Sequence, residues 1–271
     1  MLKEIKNIKI DNKLNKKICL ISDIHFYRNY NLNTFKLLLD NINKNKPDYI
    51  CIPGDIIDIP NLNITELTPL KNFLEELGKI CKVIITLGNH DISVNHSYYY
   101  NEPYINFLKG LKNIHLLIDE EYIDNNIRFI GFKDNVLVSH KEVGYDKVVI
   151  NDYNNLFKKI KPDNKKYNIL LAHNPIYLVR EKTYKNIKEL NKINLILSGH
   201  THGGLMPSFL PFKFGIISPG KRFFPNKIRG IYKLDNTKLI ISNAVIKLSY
   251  SAHSLSKLNF LFPVSIYYIN I

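Results

Sequence analysis

The sequence predicts an α/β protein with two β-sheets and helices on the outside. Three observations carry this. Apolar runs of strand length alternate with amphipathic helical segments up to Gly88. Short strands follow in quick succession after Leu111. A further set of apolar runs extends to the C-terminus, with no internal repeat and no linker dividing the chain. Strand–helix–strand at this spacing implies a parallel βαβ core. With 271 residues, 45% hydrophobic and 11% aromatic, the chain can bury a full core and is too apolar to be disordered. A single domain over residues 1–271 fits best.

The elements follow in order. "KICLIS" (17–22) reads as a buried strand. In "LNTFKLLLDNINKNK" (32–46), Leu32, Phe35, Leu38, Leu39 and Ile42 recur at helical spacing, and Pro47 ends the helix. "DYICIP" (48–53) is a strand, and "TELTPLKNFLEELGK" (65–79) is a second amphipathic helix with Gly78 near its C-cap. "KVIITLG" (82–88) is a third strand. "NIHLLI", "EYIDN" and "IRFIGF" are short strands, partly antiparallel, with Asn125-Asn126 as a turn. A helix fits "NDYNNLFKKI" (151–160). "YNILLAH" (167–173) and "INLILSG" (193–199) are buried strands with a helical segment between them, and "KLIIS" (238–242) and "VSIYYINI" (264–271) close the chain. Cys19, Cys51 and Cys81 each fall within a strand. Their odd number and spacing suit buried, reduced thiols rather than a zinc knuckle.

The net charge of +14 raises the question of nucleic acid, but 33 of the 38 basic residues are lysine, scattered along the chain. Scattered lysine reads as a solvated surface and not as a binding stripe, so no obligate nucleic-acid partner is expected. Attraction to anionic substrates or to a membrane periphery is the secondary reading. No apolar run approaches the roughly 18–20 residues that span a bilayer. The first 23 residues lack the uninterrupted apolar region of a signal peptide. A cytoplasmic location is expected.

The chemistry sits where strands end. "LISDIH" supplies Asp23 and His25, "ICIPGDIID" Asp55 and Asp58, and "IITLGNHD" Asn89, His90 and Asp91. "ILLAHNP" supplies His173, and "LILSGHTHGG" His200 and His202. Each cluster alone reads as a turn or a hydrogen-bonded core residue. Together they place many Asp, Asn and His side chains at the carboxyl ends of five strands, where open α/β sheets bind ligands. Burying so many polar groups without a partner is costly, and a pair of bound metals resolves that cost. In extended chain, His200 and His202 would lie about 6.6 Å apart on one side, suited to one ligand for each of two ions. The glycines around them would let the backbone pass closely. His96, His115, His140 and His253 lie outside these clusters and read as surface or core residues.

The order D-x-H (23–25), G-D-x-x-D (54–58), G-N-H-D (88–91), a strand-end histidine (173) and G-H-x-H (199–202) resembles the calcineurin-like metallophosphoesterases. "LAHNP", "SGHTHGG" and "GIISPGKRFFPNKIRGIY" are most similar to the branch containing bacterial phosphodiesterases of the YaeI and YkuE type. The resemblance covers residues 17–204 directly and implies a four-layer αββα sandwich of two mixed β-sheets flanked by helices. It implies two divalent metal ions, manganese, iron, zinc or cobalt. One would be held by Asp23, His25, His202 and the bridging Asp55, the other by Asp55, Asn89, His173 and His200. It further implies a metal-bridging hydroxide as nucleophile. It makes His90 the general acid, with Asp91 orienting it. Asp58 stands either behind the ligands or as a turn aspartate.

The chain departs from that branch at two places. Leu205 stands where a glutamine is usual, and in "ISNAVIKLSYSAHS" Ala244 takes a glycine position with no arginine following. The segment 205–227 is apolar, proline-rich and basic. It reads either as a hydrophobic lip admitting a lipid-linked phosphate, with Lys221 and Arg222 on the headgroup, or as a loop packed on the sandwich. The expected activity is phosphoester hydrolysis, of diesters more than monoesters, with a lipid-linked substrate as one option. A nuclease or nucleotide phosphatase and a non-catalytic metal-bound scaffold are the alternatives.

Overall fold

A computed structural model describes residues 3–10, 14–58, 64–94, 97–98, 102–139, 141, 143–205, 215–217, 223, 226–249 and 256–271. In chain order the strands and helices are β1 (Lys3–Lys9), β2 (Lys17–Leu20), α1 (Asn33–Asn45), β3 (Tyr49–Pro53), α2 (Thr68–Ile80), β4 (Lys82–Thr86), α3 (Asn89–Ile92), β5 (Ser93–Val94) and β6 (Ser97–Tyr98). They continue with α4 (Glu102–Lys109), β7 (Ile114–Leu116), β8 (Glu120–Asp124), β9 (Ile127–Phe132), α5 (Asp146–Ile160), β10 (Tyr167–Ala172) and α6 (Glu181–Tyr184). The last are β11 (Leu195–Ser198), β12 (Gly230–Leu234), β13 (Thr237–Ile241) and β14 (Val264–Asn270).

Two six-stranded sheets form, in the orders β1-β14-β2-β3-β4-β7 and β12-β13-β11-β10-β9-β8, beside a small β5-β6 pair. Both are mixed. β2, β3, β4 and β7 run parallel, as do β9, β10, β11 and β13, while β14, β12 and β8 supply antiparallel pairings. The β7 strand therefore extends the first parallel set, and antiparallel pairing in this stretch belongs to the β8–β9 hairpin, turned at Asn125 with φ of 53°.

The layers follow from strand alternation. Successive side chains point to opposite faces. Leu20, Cys51 and Ile84 face Phe129, Ile169, Leu171 and Leu197 between the sheets. Ile50, Ile52, Val83 and Ile85, on the other face, meet Phe35 and Leu38 of α1 and Leu70, Phe73 and Leu77 of α2. On the far side, Val149, Tyr153 and Phe157 of α5 cover Ile130, Leu170 and Ile196. Strands buried on both faces read as continuous apolar runs, and the result is an αββα sandwich. No helix among the described residues is long and apolar enough to cross a membrane.

Gly78 lies two residues before the end of α2, near its C-cap as expected, and a Cβ there would stand 2.6 Å from the Lys112 carbonyl oxygen. Two local expectations change. Cys81 caps α2 and is half-buried, whereas Cys19 and Cys51 are buried in strands, and all three are free thiols. Lys3–Lys9, a stretch to which the sequence assigns no element, is an edge strand, β1, paired in parallel with β14.

Candidate metal centre

The loops after β2 and β3 continue the pairing of the strands before them. Asp23, His25 and Phe26 donate backbone N–H groups to the carbonyls of Gly54, Asp55 and Ile56 at 3.3, 3.0 and 2.8 Å. Within this ladder Asp23, His25 and Asp55 take left-handed φ values of 54°, 49° and 52°. Non-glycine residues pay for such backbone, and it concentrates at functional sites. Two glycines make room for the carboxylates. A Cβ on Gly88 would stand 2.2 Å from Asp55 Oδ1, and one on Gly199 would stand 2.3 Å from Asp23 Oδ2.

Backbone donors aim the two acids. The amide of His200 donates to Asp23 Oδ1 at 2.8 Å, and that of His90 to Asp55 Oδ1 at 2.8 Å. Ser22 Oγ donates to Asp23 Oδ2 and also contacts Ser242 Oγ. Asp55 Oδ2 then lies 3.0 Å from His173 Nε2 and 3.7 Å from His25 Nε2.

The imidazoles are held from behind. His202 Nδ1 donates to the Lys247 carbonyl at 2.7 Å and His173 Nδ1 to the Pro53 carbonyl at 2.8 Å. His25 Nδ1 lies 3.3 Å from Asp58 Oδ1. A carbonyl only accepts, so Nδ1 of His202 and of His173 carries hydrogen and Nε2 faces the centre. Burial drives His202 down to about 4 against the pull of Asp23, leaving a neutral Nε2 lone pair. It points at His25 Nε2, 3.1 Å away, and at Asp23 Oδ1, 3.6 Å away. Burial also works against an imidazolium at His173, but the Asp55 charge outweighs it and lifts His173 to about 10. To serve as a ligand to a divalent cation, His173 would have to give up that proton.

Ligand atoms fall into three overlapping groups, within each of which they lie within 4.8 Å of one another: Asp23, His25 and His202; His25, Asp55 and His90; Asp55, His173 and His200. Asn89 Oδ1 adjoins the last, 2.9 Å from His200 Nδ1. Asp23, His25, Asp55, Asn89, His173 and His200 are all buried. Buried acceptors packed this tightly fit divalent cations with nitrogen and oxygen ligands. His200 and His202 belong to different groups, but not through extended chain. β11 stops at Ser198, and φ of 68° at His200 and 49° at His202 throws their rings apart. A Cβ on Gly203 would stand 2.6 Å from Lys247 Nζ.

His90 is the exposed member of the cluster, with 21% of its side chain reaching solvent. Its Nδ1 lies 2.9 Å from Asp58 Oδ1. Burial disfavours its charge, yet the carboxylates of Asp55 and Asp58 raise it to about 9. Asp91 does not orient His90. Its oxygens accept backbone N–H groups from Asp55, Ile56, Ile57 and Gly88 at 2.8, 3.0, 3.2 and 2.9 Å, and the Tyr104 hydroxyl at 3.2 Å. Those bonds clamp the loop after β3 to the loop after β4 and consume the carboxylate. Burial, with the Asp55 charge, raises Asp91 to about 6. The carboxylate that holds His90 is Asp58, which is buried and also faces His25.

Lys221 and Arg222 lie outside the described residues, as do His96, His140, His253 and most of 205–227. His115, on the edge strand β7 of the first sheet, stacks on Tyr122 of β8 with ring centroids 3.8 Å apart and belongs to none of the ligand groups. Reasoning from sequence missed Ser22 and Ser242, which brace Asp23, and two buried charges. Asp134, after β9, is raised to about 7 by burial. Lys247 is lowered to about 7 by burial, and its Nζ makes no hydrogen bond among the described residues. Neither sits in a recurring motif, so only their burial identifies them. Ala244, at φ of 68°, explains why a glycine suits that position.

The sequence profile described as calcineurin-like phosphoesterase matches residues 16–204. An uncharacterized metallophosphoesterase of Campylobacter jejuni is 30% identical over 89% of this chain and 55% of its own length. The uncharacterized metallophosphoesterase YkuE of Bacillus subtilis is 26% identical over 84% of this chain and 71% of its own. The chain thus spans about half the length of the first of these relatives. Among solved structures, GAP50, the anchor in the inner membrane complex of Plasmodium, shares the fold with a TM-score of 0.51 at 13% identity, covering 85% of this chain and 71% of that one. The profile match covers the strand-end clusters from Asp23 to His202, so the chain belongs to the calcineurin-like phosphoesterase family.

Proposed function

We propose that this chain hydrolyses phosphodiesters with two divalent cations, and that His90 is its general acid. The observation that carries this is the buried Asp55, whose Oδ2 lies 3.7 Å from His25 Nε2 on the side of Asp23 and His202 and 3.0 Å from His173 Nε2 on the side of His200, with His90 reaching solvent beside it. One cation would be held by Asp23, His25, His202 and Asp55, the other by Asp55, Asn89, His173 and His200. When bound, such cations supply Lewis acidity to phosphoryl oxygens and to water. Manganese, iron, zinc and cobalt all suit this nitrogen and oxygen set.

The chain's own residues do the rest. The amide of His90 is tied to Asp55 Oδ1, so the acid is fixed relative to the carboxylate that the two groups share. Asp58 accepts the hydrogen bond from Nδ1–H of His90 and leaves the Nε2 proton for the departing oxygen. Asp91 locks the loops that carry Asp55 and Asn89. The choice of diesters rests on the likeness of "LAHNP" and "SGHTHGG" to the diesterase branch. A lipid-linked diester is the finer reading, supported by Ile216 and Phe223, exposed by 46% and 68% on the segment following the histidines.

The test is turnover of manganese-loaded protein on matched mono-, di- and pyrophosphate esters. A diester is expected to react fastest. His90→Ala is expected to keep both metals by elemental analysis and to lose about 10²–10⁴-fold on esters with poor leaving groups. Asp55→Asn is expected to lose metal. Inertness towards every ester would leave a scaffold, and preference for DNA or nucleotides would replace the diester reading with the nuclease one.

A further inference from the structure

Twelve large apolar side chains are exposed among the described residues. Three of them, Ile5, Ile123 and Ile231, lie on the edge strands β1, β8 and β12. Val148 lies in the first turn of α5. The remaining eight fall in connecting segments at the strand ends that carry the candidate metal centre, with Leu32 at the N-cap of α1 and Leu258, Phe260 and Leu261 in a short 3-10 helix. Leu32 follows the β2 loop that supplies Asp23 and His25. Leu137 and Val143 follow β9, whose C-terminal end lies beside that of β10. Ile216 and Phe223 follow the His202 turn. Leu258, Phe260 and Leu261 precede β14, which runs antiparallel to β2, so this segment emerges beside the β2 loop.

The last segment is the densest. Phe260 is 69% exposed, Leu261 53% and Leu32 51%. Lys257, Asn259 and Phe260 share a cavity of about 840 Å³ with Asn31 and Asn33, the neighbours of Leu32. Lys3, Lys36, Lys44, Lys247 and Lys257 line that cavity, against one carboxylate among the described residues, Asp40. Lys247 is buried and the other four are exposed. The same cavity reaches Tyr27 and Val245, beside the segment whose backbone braces Asp23 and His202.

Apolar side chains left in water at a loop tip and ringed by lysine match an anionic lipid surface: the apolar groups enter the acyl boundary while ammonium groups meet the phosphates. We propose that the face carrying the metal centre docks on an anionic bilayer, with Leu32, Leu258, Phe260 and Leu261 inserting and the lysine-lined cavity taking a lipid headgroup. The proposal is independent of the phosphodiester reading, since it concerns binding and not turnover.

The experiment is cosedimentation of the full chain with vesicles. Binding to phosphatidylglycerol–phosphatidylcholine vesicles, weak binding to pure phosphatidylcholine and release by salt are expected. Phe260→Ser with Leu261→Ser, and separately Lys36→Glu with Lys257→Glu, are each expected to cut the bound fraction about tenfold. Both double variants should keep the wild-type melting temperature and the wild-type rate on a small soluble ester. Ile231→Ser, an exposed apolar change on an edge strand, is expected to bind as wild type. Failure of the wild type to bind, equal binding to neutral vesicles, or unchanged binding by either double variant would overturn the proposal. So would sedimentation velocity showing a dimer that Phe260→Ser with Leu261→Ser dissociates while vesicle binding is absent.

Discussion

Asp58 stands between two imidazoles, 3.3 Å from His25 Nδ1 and 2.9 Å from His90 Nδ1. One carboxylate thus serves a metal-facing ring and a proton-bearing ring at once. His90 must carry its proton to act as an acid, so turnover is present below its pKa and lost as pH rises through it. The raised value of about 9 places this loss on the alkaline side, and cations held nearby pull it lower. Asp58→Asn removes a charge that raises His90. Its alkaline limb is expected to move to lower pH in a pH–rate profile, with the rate partly recovered at acid pH. An unmoved limb would mean that Asp58 acts only on His25. From the motif alone, the residue adjacent in sequence, Asp91, was the natural partner for His90. Adjacency misleads here because a helical turn at 89–92 points neighbouring side chains apart, and Asp91 is consumed by four backbone donors.

The loops between elements carry the site, and their backbone is its least favourable part. Asp23, His25, Asp55, His200 and His202 all occupy left-handed φ, each costing on the order of 1 kcal/mol. Cross-loop hydrogen bonds and the glycines at 88 and 199 allow them to stay there. Gly88→Ala would set a methyl 2.2 Å from Asp55 Oδ1 and 2.6 Å from the Asp55 backbone nitrogen, neither of which can yield. A loss of about 1–3 kcal/mol is expected in denaturant unfolding, with fewer than two metals retained by elemental analysis. Wild-type metal content would show that the loop has slack. The strands were readable because burial on both faces leaves continuous apolar runs. The turn at 199–204 was not, since "GHTH" continues an apolar strand in sequence while its φ values reverse the chain. Only the structure supplies that sign.

At the scale of the molecule, the buried acids and histidines link stability to metal. Cations that bind the folded chain alone stabilise it by about 2.7 kcal/mol at a hundredfold excess over Kd. Thermal unfolding with manganese is expected to rise by roughly 5–10 °C, and a chelator should reverse it. No shift would argue against cation binding by the native cluster. The sandwich class was legible from alternation and apolar runs. β1 was not, because its alternating pattern "KEIKNIK" exposes every other residue and resembles surface chain until β14 lies beside it. That pairing fixes an order of events. β14 lies between β1 and β2, and Lys3 meets Val264. During synthesis, β1 emerges with no lateral neighbour until β14 has been made. The βαβ units between them can condense on their own, but the first sheet closes only when β14 is threaded between β1 and β2. Loop closure over such a span is slow. The nascent chain therefore presents an unfinished sheet edge until β14 arrives, a window in which chaperone engagement or edge-to-edge association is decided.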